Sequence, residues 1–304
     1  MPPMYLLVPI IVAGGLIYFL IAGSPTKQPT ATSTSPSSTV RSSTTTTSST
    51  TSTTAPSSQA QLAGALATLS HQRSGSVEIA VDNLAANRSW SYGPTKPQDE
   101  ASIVKVNILA ALLANGGGAA NALTTGQRQL ATEMIEESDN DAATDLWNAA
   151  GAGVGIGKFD SKLGLAATTP SPCVVCKGFP WPGWGLTTTT PLDQLKLLRA
   201  LFVSKVYLNP VDRAYELQLM QSVVPDERWG VSGGVPSNAS VALKNGWLPL
   251  NSADTDWQIN SIGWVRGDGR DYLVALMSTG NPSEQYGIET LDSVSSLIWR
   301  YSNS

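Results

Sequence analysis

The hydrophobic pattern of the chain changes period several times, and each change marks an element. Over 76–82, in SVEIAVD, apolar residues alternate with others, and a period of two predicts a strand. Residues 83–87 read as a turn, and 88–92 as the second strand of a hairpin. A polar loop leads to Ser102, where the spacing becomes helical. Ile103, Val106, Ile108, Leu109, Leu112 and Leu113 share that spacing, and Asn115-Gly116-Gly117-Gly118 stops the helix. Further helices are predicted over 124–137, 142–150, 154–163, 191–203 and 210–223. The stretch 168–185, rich in Pro, Gly, Trp and Cys, reads as a long ordered loop. Strands return at 240–245, 257–266 and 271–278, and a helix over 283–301 closes the chain. There is no internal repeat. Strands, then helices, then strands and a last helix predict an α+β fold. Its components are an antiparallel sheet covered by terminal helices and a helical subdomain made from the middle of the chain.

The N-terminal region has a different character. Residues 5–23, YLLVPIIVAGGLIYFLIAG, contain no charged side chain. As a helix, 19 residues extend about 28 Å, close to the hydrocarbon thickness of a bilayer. Met1-Pro2-Pro3-Met4 lacks the basic residues of a signal peptide, and no lipobox cysteine follows. An uncleaved anchor is therefore favoured over a cleaved signal for 1–23. The nearby charges, Lys27 and Arg41, lie C-terminal and do not themselves argue for export. Residues 24–59 are almost wholly Ser, Thr, Pro and Ala. Such a segment buries too little apolar area to offset chain entropy and reads as a disordered spacer of the kind often O-glycosylated outside the cell. The remaining 60–304 is long enough for one large domain or two interleaved subdomains. The implied setting is membrane-anchored and extracytoplasmic, or secreted if the first segment is removed.

Composition narrows the chemistry. The single histidine, His71, stands near the edge of the low-complexity region and reads as a surface residue, so a Ser-His-Asp triad is excluded. A nucleophilic serine here must be activated by lysine or a carboxylate. The net charge is −4 and no basic stripe suggests nucleic acid as a partner. The nine tryptophans read as core and loop packing. Cys173 and Cys176, the two cysteines, form C-x-x-C. A zinc site would need two more ligands, and no other Cys or nearby His exists, so neither metal nor cofactor is expected. In an exported chain a small local disulfide is the expected state, with two free thiols the alternative.

Three short words then stand out: Ser102-Ile103-Val104-Lys105, Ser138-Asp139-Asn140 and Lys244-Asn245-Gly246. Each alone is common, as a helix start capped by serine, a loop and a hairpin turn. Their order and context are more specific. S-x-x-K, S-D-N and K-T-G together mark the serine β-lactamases and penicillin-binding proteins. Ser102 falls near a helix N-terminus with Lys105 one turn later on the same face. The segment 134–143 and Thr188-Thr189-Thr190-Pro191 resemble the corresponding segments of class A β-lactamases. From about Gly75 onward the chain resembles the class A β-lactamase and penicillin-recognising serine hydrolase family.

That resemblance implies roles. Ser102 would be the acylated nucleophile, and Lys105 would take or hold its proton. Ser138 would relay a proton to the leaving nitrogen. Asn140 would hold the substrate's amide side chain, and Lys244 would attract its carboxylate while keeping Lys105 deprotonated. Gly246 completes the third motif, and the backbone N–H groups of Ser102 and Trp247 would form the oxyanion hole. The substrate would be a β-lactam or the peptidoglycan peptide it mimics.

Three departures qualify this. Asn245 replaces the usual Thr or Ser, so carboxylate binding is expected to be altered, and Trp247 beside it would narrow the groove. The omega-loop glutamate has no counterpart: between Phe159 and Leu192 the only acid is Asp160, in the preceding helix. Only 36 positions separate Ser102 from Ser138 (138 − 102), fewer than in class A enzymes, implying a trimmed helical subdomain and a more open cleft. A persistent acyl-enzyme follows from the missing base. Alternatives are a slow D-Ala-D-Ala-type peptidase, an esterase, or a non-catalytic penicillin-binding or sensor domain. The 225–230 loop reads as approaching the site and receives no role.

Overall fold

The computed structural model describes residues 58–116, 123–176, 181–204 and 206–302, with the backbone of strands β1 (Leu6–Val12) and β2 (Gly15–Ile21). The expectations for 24–57, and for the segment 177–180 of the long loop, lie outside the described residues.

Helix α1 (Ser58–Gln72) comes first among the described helices. Strands β3 (Ser76–Asn83) and β4 (Arg88–Tyr92) form the predicted hairpin. After the short β5 (Gln98–Asp99), a 3-10 turn at Ala101–Ile103 feeds helix α2 (Val104–Asn115). Helices α3 (Thr125–Glu136), α4 (Asn140–Ala149) and α5 (Ala152–Leu163) follow, then β6 (Thr188–Thr189), α6 (Pro191–Phe202) and α7 (Pro210–Gln221). Strands β7 (Ser240–Pro249), β8 (Trp257–Gly267) and β9 (Arg270–Asn281) lead into helix α8 (Glu284–Tyr301). The three late strands run longer than their hydrophobic cores predicted. The neighbouring strand supplies backbone partners to polar residues, which periodicity alone does not detect.

The early hairpin and the last three strands form one antiparallel sheet, in the order β4-β3-β9-β8-β7. Its two faces bury different residues of the same strands. Ile79 and Val81 of β3, with Tyr272, Val274 and Leu276 of β9, pack with Leu62 and Leu66 of α1 and Leu291, Val294 and Ile298 of α8. Ala80, Leu273, Ala275 and Ile262 face the other way, toward α2 and the helices around it. Helix α2 has Val104 through Leu113 all buried, so it forms the centre of the helical subdomain rather than a half-exposed amphipathic rod.

Strands β1 and β2 pair antiparallel in place of one long helix, and β2 lies beside β4. Among the described residues no helix is long and apolar enough to cross a membrane.

Candidate active site

The three motifs meet where the helical subdomain abuts β7. Ser102 lies in the 3-10 turn ahead of α2, half-buried, and lines a cleft of about 480 Å³. The turn is held from several sides. The Asn260 amide on β8 donates to the carbonyls of Asp99 and Glu100, both at 2.9 Å, and the Glu100 N–H donates to Thr187 O at 2.8 Å. Ala101 has φ +48° and Ser138 φ +55°. Left-handed backbone is uncommon for such residues and is sustained only where the surroundings impose it.

Ser138 follows α3. Asp139 accepts from the Ala142 N–H at 2.7 Å and so caps α4, which makes Asn140 the first residue of that helix. That cap fixes Ser138 and Asn140 against Lys105. The Lys105 ammonium is fully buried and donates to Ser138 O at 2.6 Å, Ser138 Oγ at 3.1 Å and Asn140 Oδ1 at 2.8 Å. It also sits 5.0 Å from the centre of the Trp184 ring. Lys244 reaches the same hydroxyl from β7, with Nζ 2.9 Å from Ser138 Oγ. Two lysine nitrogens thus converge on one serine. Burial, and then the charge of Lys244, pull the Lys105 amine well below its ordinary range. Burial also lowers Lys244, to about 8, against the opposing attraction of Glu227.

Gly246 follows Lys244 on β7 and touches the nucleophile turn directly. A Cβ there would stand 2.6 Å from the Ser102 nitrogen and 2.8 Å from that of Ile103. Only glycine lets the strand approach so closely. Trp247 lines the cleft, and its ring lies 6.0 Å from that of Trp229 in an edge-on arrangement.

Asn245 stands elsewhere than the sequence suggested. It is fully buried, and its amide donates to Glu227 O at 2.6 Å and Trp229 O at 3.2 Å. Strand alternation turns it from Lys244 toward the 227–230 loop. Its amide donor is therefore engaged with that loop rather than directed at a substrate carboxylate.

Two acids escaped the sequence reading. Glu227, in the loop given no role, lines the cleft and pairs with Lys244 at 3.4 Å. Its side chain is 17% exposed, so the pair meets solvent from the cleft side. Glu100, two residues before the nucleophile, is fully buried, and its Oε1 accepts from Gln194 Nε2 at 3.2 Å. Burial and the nearby Asp160 and Asp193 hold its carboxyl well above the usual range. Neither acid has a local sequence signal. Only packing brings Glu227 to Lys244, and Glu100 looks like any loop acid.

Asp160 is buried and accepts from Asn107 Nδ2 at 2.6 Å, and it does not line the cleft. Burial raises its carboxyl to about 6. Cys173 and Cys176 form a disulfide in the loop beside the site. His71 is exposed at the end of α1. Among the described residues no cluster of His, Cys, Asp or Glu is arranged to hold a metal ion.

A serine at the head of a buried helix, two converging lysines and an antiparallel sheet flanked by helices together define a class of protein, the serine hydrolases of β-lactamase fold. The model of the Beta-lactamase enzyme family matches residues 119–302, and the chain belongs to that family. The match begins after Ser102 and Lys105. Solved structures of similar fold include a class A β-lactamase representative from Bacteroides cellulosilyticus DSM 14838. It is 14% identical, with a TM-score of 0.69, covering 82% of this chain and 99% of that one. A class A β-lactamase from Mycobacterium abscessus is 18% identical, with a TM-score of 0.65 and coverages of 79% and 98%. A β-lactamase from Burkholderia vietnamiensis is 20% identical, with a TM-score of 0.65 and coverages of 79% and 96%. No curated protein matches the chain.

Proposed function

We propose that the chain is an exported serine acyl-transfer enzyme acting through a Ser102 acyl-enzyme on β-lactams or related peptidoglycan peptides. The observation that carries this is the convergence of Lys105 and Lys244 on Ser138 Oγ, beside a cleft that Ser102 lines. A neutral Lys105 keeps two N–H donors for its three acceptors and gains a lone pair. That lone pair takes the Ser102 proton as Oγ attacks the acyl carbon. The C–N bond then breaks, and the proton reaches the leaving nitrogen through Ser138. The backbone N–H groups of Ser102 and Trp247 hold the oxyanion.

Water is less well served. Residues 168–185 contain no carboxylate, and Asp160 lies buried on Asn107. Slow deacylation follows, which favours a penicillin-binding or peptidase-like role over rapid lactam hydrolysis. An extracytoplasmic setting is supported by the Cys173–Cys176 disulfide and the Ser/Thr/Pro spacer.

The test is intact mass against time for the full chain mixed with a penicillin or an activated ester, with Ser102→Ala alongside. The expected result is a persistent adduct in the wild type alone. No adduct with either probe overturns the acyl-enzyme reading. Equal ligand affinity in both proteins without acylation would identify a binding module.

A further inference from the structure

Lys244, the group that would receive a substrate carboxylate, already faces an anion. Glu227 Oε2 stands 3.4 Å from Lys244 Nζ and lies on the cleft wall. The carboxylate is held there by the chain's own departure from the third motif. The Asn245 amide ties down the carbonyls of Glu227 and Trp229, just ahead of Gly230 where the loop turns. Gly230 has φ +69°, and a Cβ on it would stand 2.4 Å from the Ser261 side chain, so the loop has no room to retreat. Asn245 thus builds the loop that presents Glu227.

The charge of the cleft points the same way. Both lysines of the site, Lys105 and Lys244, are fully buried. The ionisable side chains on the cleft wall itself are Glu137 and Glu227, set among the rings of Trp181, Trp184, Trp247 and Trp257. Carboxylates among aromatic faces attract cations and repel anions. A substrate carboxylate reaching Lys244 must displace Glu227 or sit beside it.

Deepening the reading of Ser102 as the acylated group, on which it rests, we infer that Glu227 is a specificity-determining residue. It turns the cleft away from acyl donors with a carboxylate beside the scissile bond and toward donors that carry an amine or an uncharged group there. Among the β-lactams and related peptides proposed above, those with a cationic or uncharged group at that position would then be preferred over the free acid.

Three probes with one reacting core test this on the full chain: benzylpenicillin, its methyl ester and its diethylaminoethyl ester, which is cationic at neutral pH. Acylation of Ser102 is followed by intact mass, in the wild type and in Glu227→Gln. The wild type should react fastest with the cationic ester and slowest with the acid, a ranking that needs no variant. In Glu227→Gln the acid-to-methyl-ester rate ratio should rise about tenfold or more, as expected for removing a like charge at contact distance. Fastest reaction with the acid in the wild type, or an unmoved ratio in Glu227→Gln, overturns the inference while leaving the Ser102 acyl-enzyme intact. Failure of all three to label Ser102 overturns the acyl-enzyme reading for β-lactams, and the inference with it.

Discussion

Replacing Gly246 by alanine tests whether the approach of β7 to the nucleophile turn is what makes the site. The new Cβ would lie 2.6 Å from Ser102 N, 2.8 Å from Ile103 N and 2.9 Å from Glu100 O. All three are backbone atoms, so no side chain can swing aside. To reach ordinary contact at 3.4 Å, the strand and the turn must separate by about 0.8 Å. Neither partner yields easily, since β7 is paired along its whole length with β8 and the turn is clamped by Asn260. Overpacking of this kind costs about 1–3 kcal/mol. For a domain of this size that lowers Tm by roughly 2–12 °C, at about 2–4 °C per kcal/mol. The kinetic cost is larger. A misplacement of about 1 Å between reacting groups costs on the order of 100-fold in rate. Calorimetry reads the first effect, and the rate of Ser102 acylation by intact mass reads the second. Acylation within about twofold of wild type, in a protein that remains folded, would refute the argument that this contact sets the oxyanion geometry.

Two other outcomes are expected. Glu100→Gln should stabilise the protein at pH 8 relative to wild type and have little effect at pH 4, measured by chemical denaturation. The folded carboxyl titrates well above its ordinary 4.5, so its contribution is present below that value and is lost as pH rises toward the folded pKa. The amide does not titrate. Acylation of Ser102 should rise with pH as the depressed Lys105 amine loses its proton, then fall above about 8 as Lys244 loses its charge. A rate still rising through pH 9 to 10, measured with an uncharged ester, would show that the charge on Lys244 is not needed.

Much of the fold was legible because local patterns and tertiary demands agree. The β3–β4 hairpin alternates in sequence and pairs as expected. The helix starts expected at 124, 142, 191 and 283 fall within two residues of those observed, where Thr124, Asp139, Thr190 and Ser283 prove to be the caps. Agreement fails where a local signal is ambiguous. Asn245 belongs to the third motif by its position, yet strand alternation hands its amide to the 227–230 loop.

The sequence by itself determined the chemistry available: one distant histidine, an S-x-x-K turn, an S-D-N turn and a lysine-glycine pair on a late strand. Those words name which groups can act because side-chain chemistry is local. Tertiary structure alone decided what surrounds them. It placed Lys105 and Lys244 on one hydroxyl, and burial lowers both amines. It also turned Asn245 away from the cleft and brought Glu227 against Lys244 across 17 positions of chain (244 − 227). Burial and charge pairing are set by neighbours distant in sequence, and no short motif records them.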